Sequence, residues 1–321
     1  MPTRPSSGDA ARLVACATVL ATACHGPGKG PAGEATLHIE TLVYTDTQLM
    51  YAAPETLTVR ADGTLRYESH TNGFRPAQQD IGVYETTLPE ASLRELESAL
   101  SEPPLSTLPD HSGRLPVDGR ERRVVVTADH STVTKTVNTA EPVDARLERI
   151  MARLDGLAKV ALGSPVSVLH GDLEQVTVDE KRGFEAVAVL SNHGPQAVQC
   201  RVPTSLVEQE GGRLAIDAWQ DREPRAHPWV RSPVSAVEEL WRTGGATVEG
   251  YVLELPPRAA ISYRIHARLA EADDGPSSVQ LVYNNLETPL DGVPVLTGEL
   301  RATAKTTIPK AASAVEPRQP R

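Results

Sequence analysis

The hydrophobic pattern of the first half of the chain predicts two β-hairpins. Apolar and polar residues alternate in 57–60 and again in 65–68, and Ala61-Asp62-Gly63-Thr64 joins the two runs. Because alternation with period two buries one face of a strand and Asp-Gly favours a tight turn, this stretch predicts a hairpin. Residues 122–128 and 132–137 repeat the pattern around Asp129-His130 and predict a second hairpin.

Two helices are predicted where apolar residues recur every three or four positions. The first carries Leu93, Leu96 and Leu100, and Ser92 with Glu95 forms a capping-box pattern at its start. The second has Pro142 near its start and an apolar face made of Val143, Leu147, Ile150, Leu154 and Leu157. Strands, a helix, two strands and a helix in this order predict an α+β domain over residues 36–162, with its helices against an antiparallel sheet.

Beyond Gly163-Ser164-Pro165, which is typical of a joint between domains, the helical period almost disappears. Short apolar or alternating runs separated by Gly, Pro and Asn predict an all-β sandwich over residues 166–308. Residues 309–321 are rich in proline and are expected to be a disordered tail. The predicted strands of the sandwich include 184–190, 198–202, 246–255, 261–265, 278–283 and 298–308.

Three runs of the second half, EAVAVLSNHGPQAVQCRV, LELPPRAAISYRI and VQLVYNN, resemble Ig-like or fibronectin-like modules of bacterial surface proteins. The first half resembles uncharacterised domains of bacterial envelope proteins, in which an ADG hairpin precedes two helices. The expected fold is therefore an α+β N-terminal domain followed by an all-β Ig-like sandwich. Neither resemblance implies an activity, because unrelated functions share such folds.

The start of the chain has the layout of a secretion signal. Arg4 and Arg12 precede an apolar run over residues 13–23, and Leu20-Ala21-Thr22-Ala23-Cys24 ends it. The run is shorter than the roughly 20 residues that a helix needs to cross a bilayer, but it fits the apolar core of a signal peptide. Its end resembles the lipobox of bacterial lipoproteins. The resemblance implies that residues 1–23 are removed and that Cys24 becomes the acylated N-terminus.

Some alternatives for this segment stay open. Cys16 follows a second lipobox-like sequence, but Cys24 is preferred because the apolar run precedes it. Ordinary secretion, or a cytoplasmic protein with an apolar start, would also fit the pattern. Residues 24–35 are dominated by Gly and Pro and are expected to form a flexible tether. His25 follows the cysteine where an Asp would signal retention at the inner membrane, so the resemblance implies the outer membrane.

Composition narrows the possible partners. The chain has 42 acidic and 32 basic residues and a formal charge of −10, which repels phosphate backbones and argues against binding to nucleic acid. If Cys16 is removed and Cys24 is acylated, Cys200 is the remaining cysteine and no intramolecular disulfide is possible.

The search for catalytic or metal-binding motifs gives little. The nine histidines are scattered, and the nearest local cluster, His170-Gly171-Asp172, is too small to be a ligand set by itself. The chain has no G-x-S-x-G motif. Cys200 lies on the apolar phase of its strand, so it is expected to be buried and inert. The sequence therefore predicts no catalytic residue, metal ligand or cofactor.

The stretch of residues 219–241 contains all three tryptophans together with several arginines. Trp and Arg are enriched at the centres of protein interfaces, so this stretch is a candidate binding surface. The alternative is that the tryptophans pack beneath a long excursion of the sandwich and close its core. The candidate surface comprises Trp219, Arg222, Arg225, Trp229, Arg231 and Trp241.

Together these features favour a membrane-tethered envelope protein with a non-enzymatic binding or structural role. The expected contacts are the membrane, through a lipid on Cys24, and a further protein of the envelope. Two alternatives stay open. One is an envelope hydrolase whose site assembles only in three dimensions. The other is an Ig-like module of the protease-inhibitor type, in which the tryptophan-rich stretch is an exposed loop.

Overall fold

The structure, a computed structural model, describes most of the chain between residues 37 and 310. The predicted signal, the tether and all of the predicted tail beyond Lys310 lie outside the described residues, as do Arg222, Arg225 and Trp229. The described ranges are 37–48, 54–70, 80–102, 104–114, 119–138, 143–207, 213–221, 230–285 and 295–310.

The described chain is largely β, with one large sheet and few helices. The helices are α1 (Glu90–Ser101), α2 (Ala145–Ala161), α3 (Thr204–Val207) and a 3-10 turn at Leu105–Thr107. The strands are β1 (Ile39–Gln48), β2 (Glu55–Arg60), β3 (Thr64–Ser69), β4 (Asp80–Thr87), β5 (His111–Ser112), β6 (Arg120–Ala128), β7 (Ser131–Asn138), β8 (Pro165–Val178), β9 (Gly183–Asn192), β10 (Val198–Arg201), β11 (Leu214–Gln220), β12 (Val230–Thr243), β13 (Thr247–Glu249), β14 (Val252–Leu255), β15 (Ala260–Arg268), β16 (Gly275–Asn285) and β17 (Gly298–Ile308).

Both hairpins predicted in the first half are confirmed. Strands β2 and β3 reverse through a turn in which Gly63 has a φ of +81°, a conformation that costs glycine little. Strands β6 and β7 reverse at Asp129 and His130, which adopt φ values of 48° and 63°. Two successive residues with positive φ match the right-handed twist of the flanking strands. In this half the strands follow the order β4-β3-β2-β1-β6-β7-β5.

Both predicted helices are present, but the predicted capping box of the first is wrong. Helix α1 begins at Glu90 after Pro89, so Ser92 lies inside the first turn, and among the described residues no side chain caps the helix. Pro89 lies directly before the helix with φ −55° and ψ 143°, and its fixed φ is compatible with a helix start, so α1 begins earlier than the Ser92 pattern implied. Helix α2 is capped by Asp144, whose carboxylate accepts from the backbone N–H groups of Arg146 and Leu147.

The two halves of the sheet are joined by the pairing of β4 with β8. Strand β8 begins within the predicted joint, at Pro165, and the backbone N–H of Glu85 donates to the Ser164 carbonyl. Successive residues of β8 are buried in different hydrophobic cores, because their side chains point to opposite faces of the sheet. Val168 belongs to the core that includes α1 and α2, whereas Leu169 belongs to the core of the second half.

The second half of the sheet continues as β8-β9-β15-β12-β11-β16-β17, and a separate sheet has the order β10-β14-β13. The large sheet folds over itself, since Leu300 of β17 packs on Gly171 of β8. The predicted single strand over residues 246–255 is wrong, because the chain reverses at Gly250, which has a φ of +57°. None of the helices in the described part of the chain has the length and apolar character of a membrane span.

Candidate functional site

Three neighbouring strands bring polar side chains together where the two halves of the sheet meet. Asp80 of β4 pairs with His170 of β8, and His170 pairs with Ser191 of β9. Directly paired residues project from the same face of a sheet, and so do residues two positions along a strand. Asp172, two positions along β8, therefore lies on the same face as His170. His193, in the turn directly after β9, joins the group because its ring stacks on that of His170. We call these five residues the junction cluster.

His170 lies between two carboxylates. Its Nδ1 atom is 2.5 Å from Oδ1 of Asp80, and its Nε2 atom is 3.0 Å from Oδ2 of Asp172. The hydrogen bond to Asp80 raises the pKa of His170 above its ordinary value, although half-burial opposes the rise, and the charge of Asp172 adds to it. A protonated His170 therefore donates a hydrogen bond to each carboxylate.

His193 stacks on His170, with ring centroids 4.2 Å apart and an angle of 16° between the planes. Its Nδ1 atom is 3.9 Å from Oδ1 of Asp80, and its Nε2 atom is 3.1 Å from Oγ of Ser191. Both imidazoles thus turn Nδ1 towards the same carboxylate oxygen. The Nε2 atom of each ring contacts a different polar side chain.

The turn that carries His193 is held by Asn192, which is 1% exposed. The Asn192 amide N–H₂ donates to the carbonyls of Gln196 and Leu255 at 2.7 and 2.8 Å, and its oxygen accepts from the backbone N–H of Gly194 at 2.7 Å. The backbone N–H of His193 also donates to the Val168 carbonyl at 2.9 Å. These bonds fix the position of His193 relative to β8.

The junction cluster lies against the buried core on one side and is open to solvent on the other. Leu169 and Leu190, which neighbour His170 and Ser191 in the chain, are buried in the core of the second half. The side chain of His170 is 16% exposed and that of His193 is 48% exposed. A small ligand arriving from solvent would therefore meet side chains whose backbone is already in place.

Residues of these types can form a catalytic relay or bind a metal ion, and the distances between them distinguish the two possibilities. A Ser–His–Asp relay needs a carboxylate that orients the histidine next to the serine. Asp80 instead bonds to His170, and its 3.9 Å separation from His193 is too long for a hydrogen bond. For a metal ion, Asp80, His170 and His193 each offer one ligand atom, and these atoms lie within 4.8 Å of one another.

Only part of this group is evident in the sequence. His170-Gly171-Asp172 is a local cluster in the sequence, whereas Asp80 is 90 positions from His170 in the chain. A histidine in the turn directly after an apolar strand, as in Ser191-Asn192-His193-Gly194, is the signal that could have pointed to His193. Asp80 carried no such signal, because its strand was not predicted.

The predicted tryptophan-rich surface is divided by the structure. Trp219, at the end of β11, is half-buried, and Arg231 on the paired strand makes a two-pronged ion pair with Asp217 at 2.8 and 2.9 Å. Trp241 is 44% exposed on the same strand as Arg231. Ten residues of strand between Arg231 and Trp241 correspond to about 33 Å. The structure therefore does not bring Trp241 together with Trp219 and Arg231.

Cys200 is buried, as expected from the phase of its strand. Burial raises the pKa of its thiol to about 12, which keeps the sulfur protonated at physiological pH. Cys24, the predicted site of lipid attachment, lies outside the described residues.

No protein-family model matches the chain, and a search among curated proteins finds no match.

Proposed function

We propose that this protein is a membrane-tethered envelope protein with a non-enzymatic binding role, and that its ligand binds at the junction cluster. The observation that carries the proposal is the convergence of Asp80, His170 and His193 from separate segments onto one open face. The hydrogen bonds of Asn192 and the core below the cluster hold these groups in place, which lowers the ordering cost of binding.

The tether is proposed from the sequence that ends in Cys24. Acyl chains on this cysteine would hold the protein at the membrane far more firmly than a single chain could. The residue after the cysteine, His25, favours the outer membrane through the lipoprotein resemblance.

Labelling with radioactive palmitate in a lipidating host tests the tether. The wild-type chain should take up label and partition into detergent, Cys24→Ser should abolish both, and Cys16→Ser should change neither. Label that persists in Cys24→Ser but not in Cys16→Ser would move the attachment to Cys16. An unlabelled wild-type chain would overturn the tether.

For the fold we propose the finer description as well, an α+β first half followed by an Ig-like sandwich. Its support in the first half is a core shared by two helices and a sheet, with Leu96 and Leu154 packed among strand residues such as Leu57. In the second half it is the contact between Leu300 and Gly171, which puts strands of one sheet in two facing layers. A crystal structure of the full chain would test this description.

A hydrolase is the second candidate, because Oγ of Ser191 lies 3.1 Å from Nε2 of His193. A serine-reactive fluorophosphonate separates it from the binding role. Under our proposal the probe leaves Ser191 unmodified, since Asp80 bonds to His170 and, at 3.9 Å from His193, does not orient that ring as a base. Labelling that Ser191→Ala and His193→Ala both abolish would replace the binding role by a hydrolase.

A further inference from the structure

We propose that the junction cluster binds a divalent transition-metal ion, with Asp80, His170 and His193 as its protein ligands. The ligand atoms are Oδ1 of Asp80 and the two Nδ1 atoms that face it. This inference deepens the proposed function and rests on it, since it names the class of ligand for the same site.

The outer contacts of the two histidines favour this assignment. A metal-bound imidazole usually donates its other N–H to a carboxylate or another polar oxygen, which fixes the ring and its tautomer. Here Nε2 of His170 faces Asp172, and Nε2 of His193 faces Ser191. With the protons on these Nε2 atoms, both Nδ1 atoms, which lie on the Asp80 side of the cluster, are free to bind a metal ion. Asp172 is thus a positioning residue for His170.

The distances are near those of a metal site, but the side chains must turn before an ion can bind. Bonds of about 2.0–2.2 Å to a tetrahedral ion place its ligand atoms about 3.4 Å apart. The distances from Asp80 Oδ1 to the two Nδ1 atoms, 2.5 and 3.9 Å, fall on either side of this value. The Asp80 carboxylate would rotate, and the two rings, whose planes are now 16° apart, would turn about their side-chain bonds so that both Nδ1 lone pairs converge on the ion. Any proton that His170 holds on Nδ1 would leave to solvent when the metal binds.

The donor set selects the class of ion. Two imidazole nitrogens and one carboxylate suit zinc, copper, nickel or iron, whereas calcium and magnesium prefer oxygen ligands throughout. Three protein ligands leave at least one coordination position free. Because His193 is half-exposed, that position opens to solvent, where a further molecule could coordinate.

Calorimetric titration of the full chain in detergent with Zn²⁺, Co²⁺, Mg²⁺ and Ca²⁺ tests the site. We expect one equivalent of Zn²⁺ to bind, Co²⁺ to give the visible absorption of a nitrogen-ligated ion, and Mg²⁺ and Ca²⁺ not to compete. A wild-type chain that binds neither Zn²⁺ nor Co²⁺, or that binds Mg²⁺ equally well, would overturn the proposal.

His193→Ala is the decisive variant, because its half-exposed side chain can be removed without opening the core. Loss of this ligand should lower the affinity for Zn²⁺ by at least about 10–100-fold, which is the loss expected when an outer hydrogen-bond partner is removed. Melting without metal confirms that the variant folds. Zn²⁺ affinity equal to that of the wild type in folded His193→Ala would show that the ion binds elsewhere.

Two further variants complete the design. Asp172→Asn should lower the affinity for Zn²⁺ by about 10–100-fold. It should keep the visible absorption of bound Co²⁺, since Asp172 positions His170 without binding the ion. His266→Ala is the matched control, because His266 is a similarly exposed histidine beside a single carboxylate, with Nδ1 3.7 Å from Oε2 of Glu185. Equal losses in His266→Ala and His193→Ala would overturn the site.

The palmitate experiment keeps the two proposals apart. A labelled, detergent-partitioning protein that binds no transition metal would overturn the metal site and leave the tethered binding role standing. An unlabelled protein whose Zn²⁺ affinity depends on His193 would overturn the tether and leave the metal site standing.

Discussion

Leu300 packs directly on Gly171, where a Cβ atom would lie 2.8 Å from Cδ2 of Leu300. This contact brings β17 onto β8 and closes the core of the second half. Gly171 also lies between His170 and Asp172 in the chain. It therefore contacts the core on one face of β8, while its two neighbours project from the other face. The absence of a side chain at this position permits the close approach of the two strands.

Gly171→Ala should destabilise the protein by about 1–3 kcal/mol, because the added methyl group overpacks a filled core. The end of the Leu300 side chain would have to move. Urea unfolding followed by circular dichroism measures the free energy of unfolding. A variant as stable as the wild type would show that Leu300 shifts at no cost and that the contact does not limit the approach of β17.

Gly156→Ala is the matched control and should have the opposite effect. Gly156 is exposed within α2, and apart from its chain neighbours and the adjacent helix backbone, no atom of the described chain lies within 4 Å of the position of an added Cβ. Alanine in a helix interior is about 0.5–1 kcal/mol more favourable than glycine. The variant should therefore gain stability of this size in the same urea measurement. A loss would mean that the helix tolerates no side chain there.

Asp144→Ala should lower stability in a pH-dependent way. The backbone N–H groups of Arg146 and Leu147 donate to the Asp144 carboxyl and lower its pKa from the ordinary 3.8, and the bond from Arg146 has the larger effect. A lowered folded-state pKa gives stability that is present above the ordinary value and is lost as pH falls through the folded value. The loss caused by Asp144→Ala should thus be largest at neutral pH and shrink in acid.

Urea unfolding of both chains at neutral and acidic pH measures this difference. Asp144→Asn is the control, because its side-chain oxygen still accepts from the helix N-terminus without a charge. It should retain more stability than Asp144→Ala at neutral pH. A difference between wild type and Asp144→Ala that does not change with pH would contradict a role for the ionised cap.

The local elements were predictable because short sequence signals determine them. The Asp62-Gly63 turn and the spacing of Leu147, Ile150 and Leu154 each act within a few residues, and both gave correct elements. Strands β8 and β12 were missed, each of them 14 residues long. Polar residues such as His170 on their open faces interrupt the apolar pattern. Their pairing with distant strands, rather than their composition, makes them strands.

The junction cluster could not be found in the sequence for the same reason. Asp80 reaches His170 through the pairing of β4 with β8, and His193 reaches it through a turn held by Asn192. Register between strands that are far apart in the chain is a tertiary property, which follows from how the faces of the sheet are buried. The short spacing of His170 and Asp172 makes them visible as a local pair of possible ligands, but no such spacing marks their partners.

Cys200 should be unreactive in the folded protein. The chain contains three cysteines, so the variant carrying Cys16→Ser and Cys24→Ser leaves Cys200 as its single thiol. Complete burial and a pKa of about 12 keep this thiol protonated and out of reach of reagents. A chromogenic disulfide reagent should react with it only after urea unfolds the chain. Rapid reaction of the folded variant would show that the core around β10 opens readily.

Asn192→Ala should damage both stability and the metal site. Its removal leaves the buried carbonyl of Leu255 and the N–H of Gly194 without their side-chain partner, which should cost at least about 2 kcal/mol in the free energy of unfolding. The turn would then hold His193 less firmly, so Zn²⁺ affinity should fall in the fraction that remains folded. Ser191→Ala is the comparison, because it removes only an exposed contact to His193 and should leave stability nearly unchanged. Zn²⁺ affinity unaffected by Asn192→Ala in the folded protein would show that the turn needs no side-chain support to place His193.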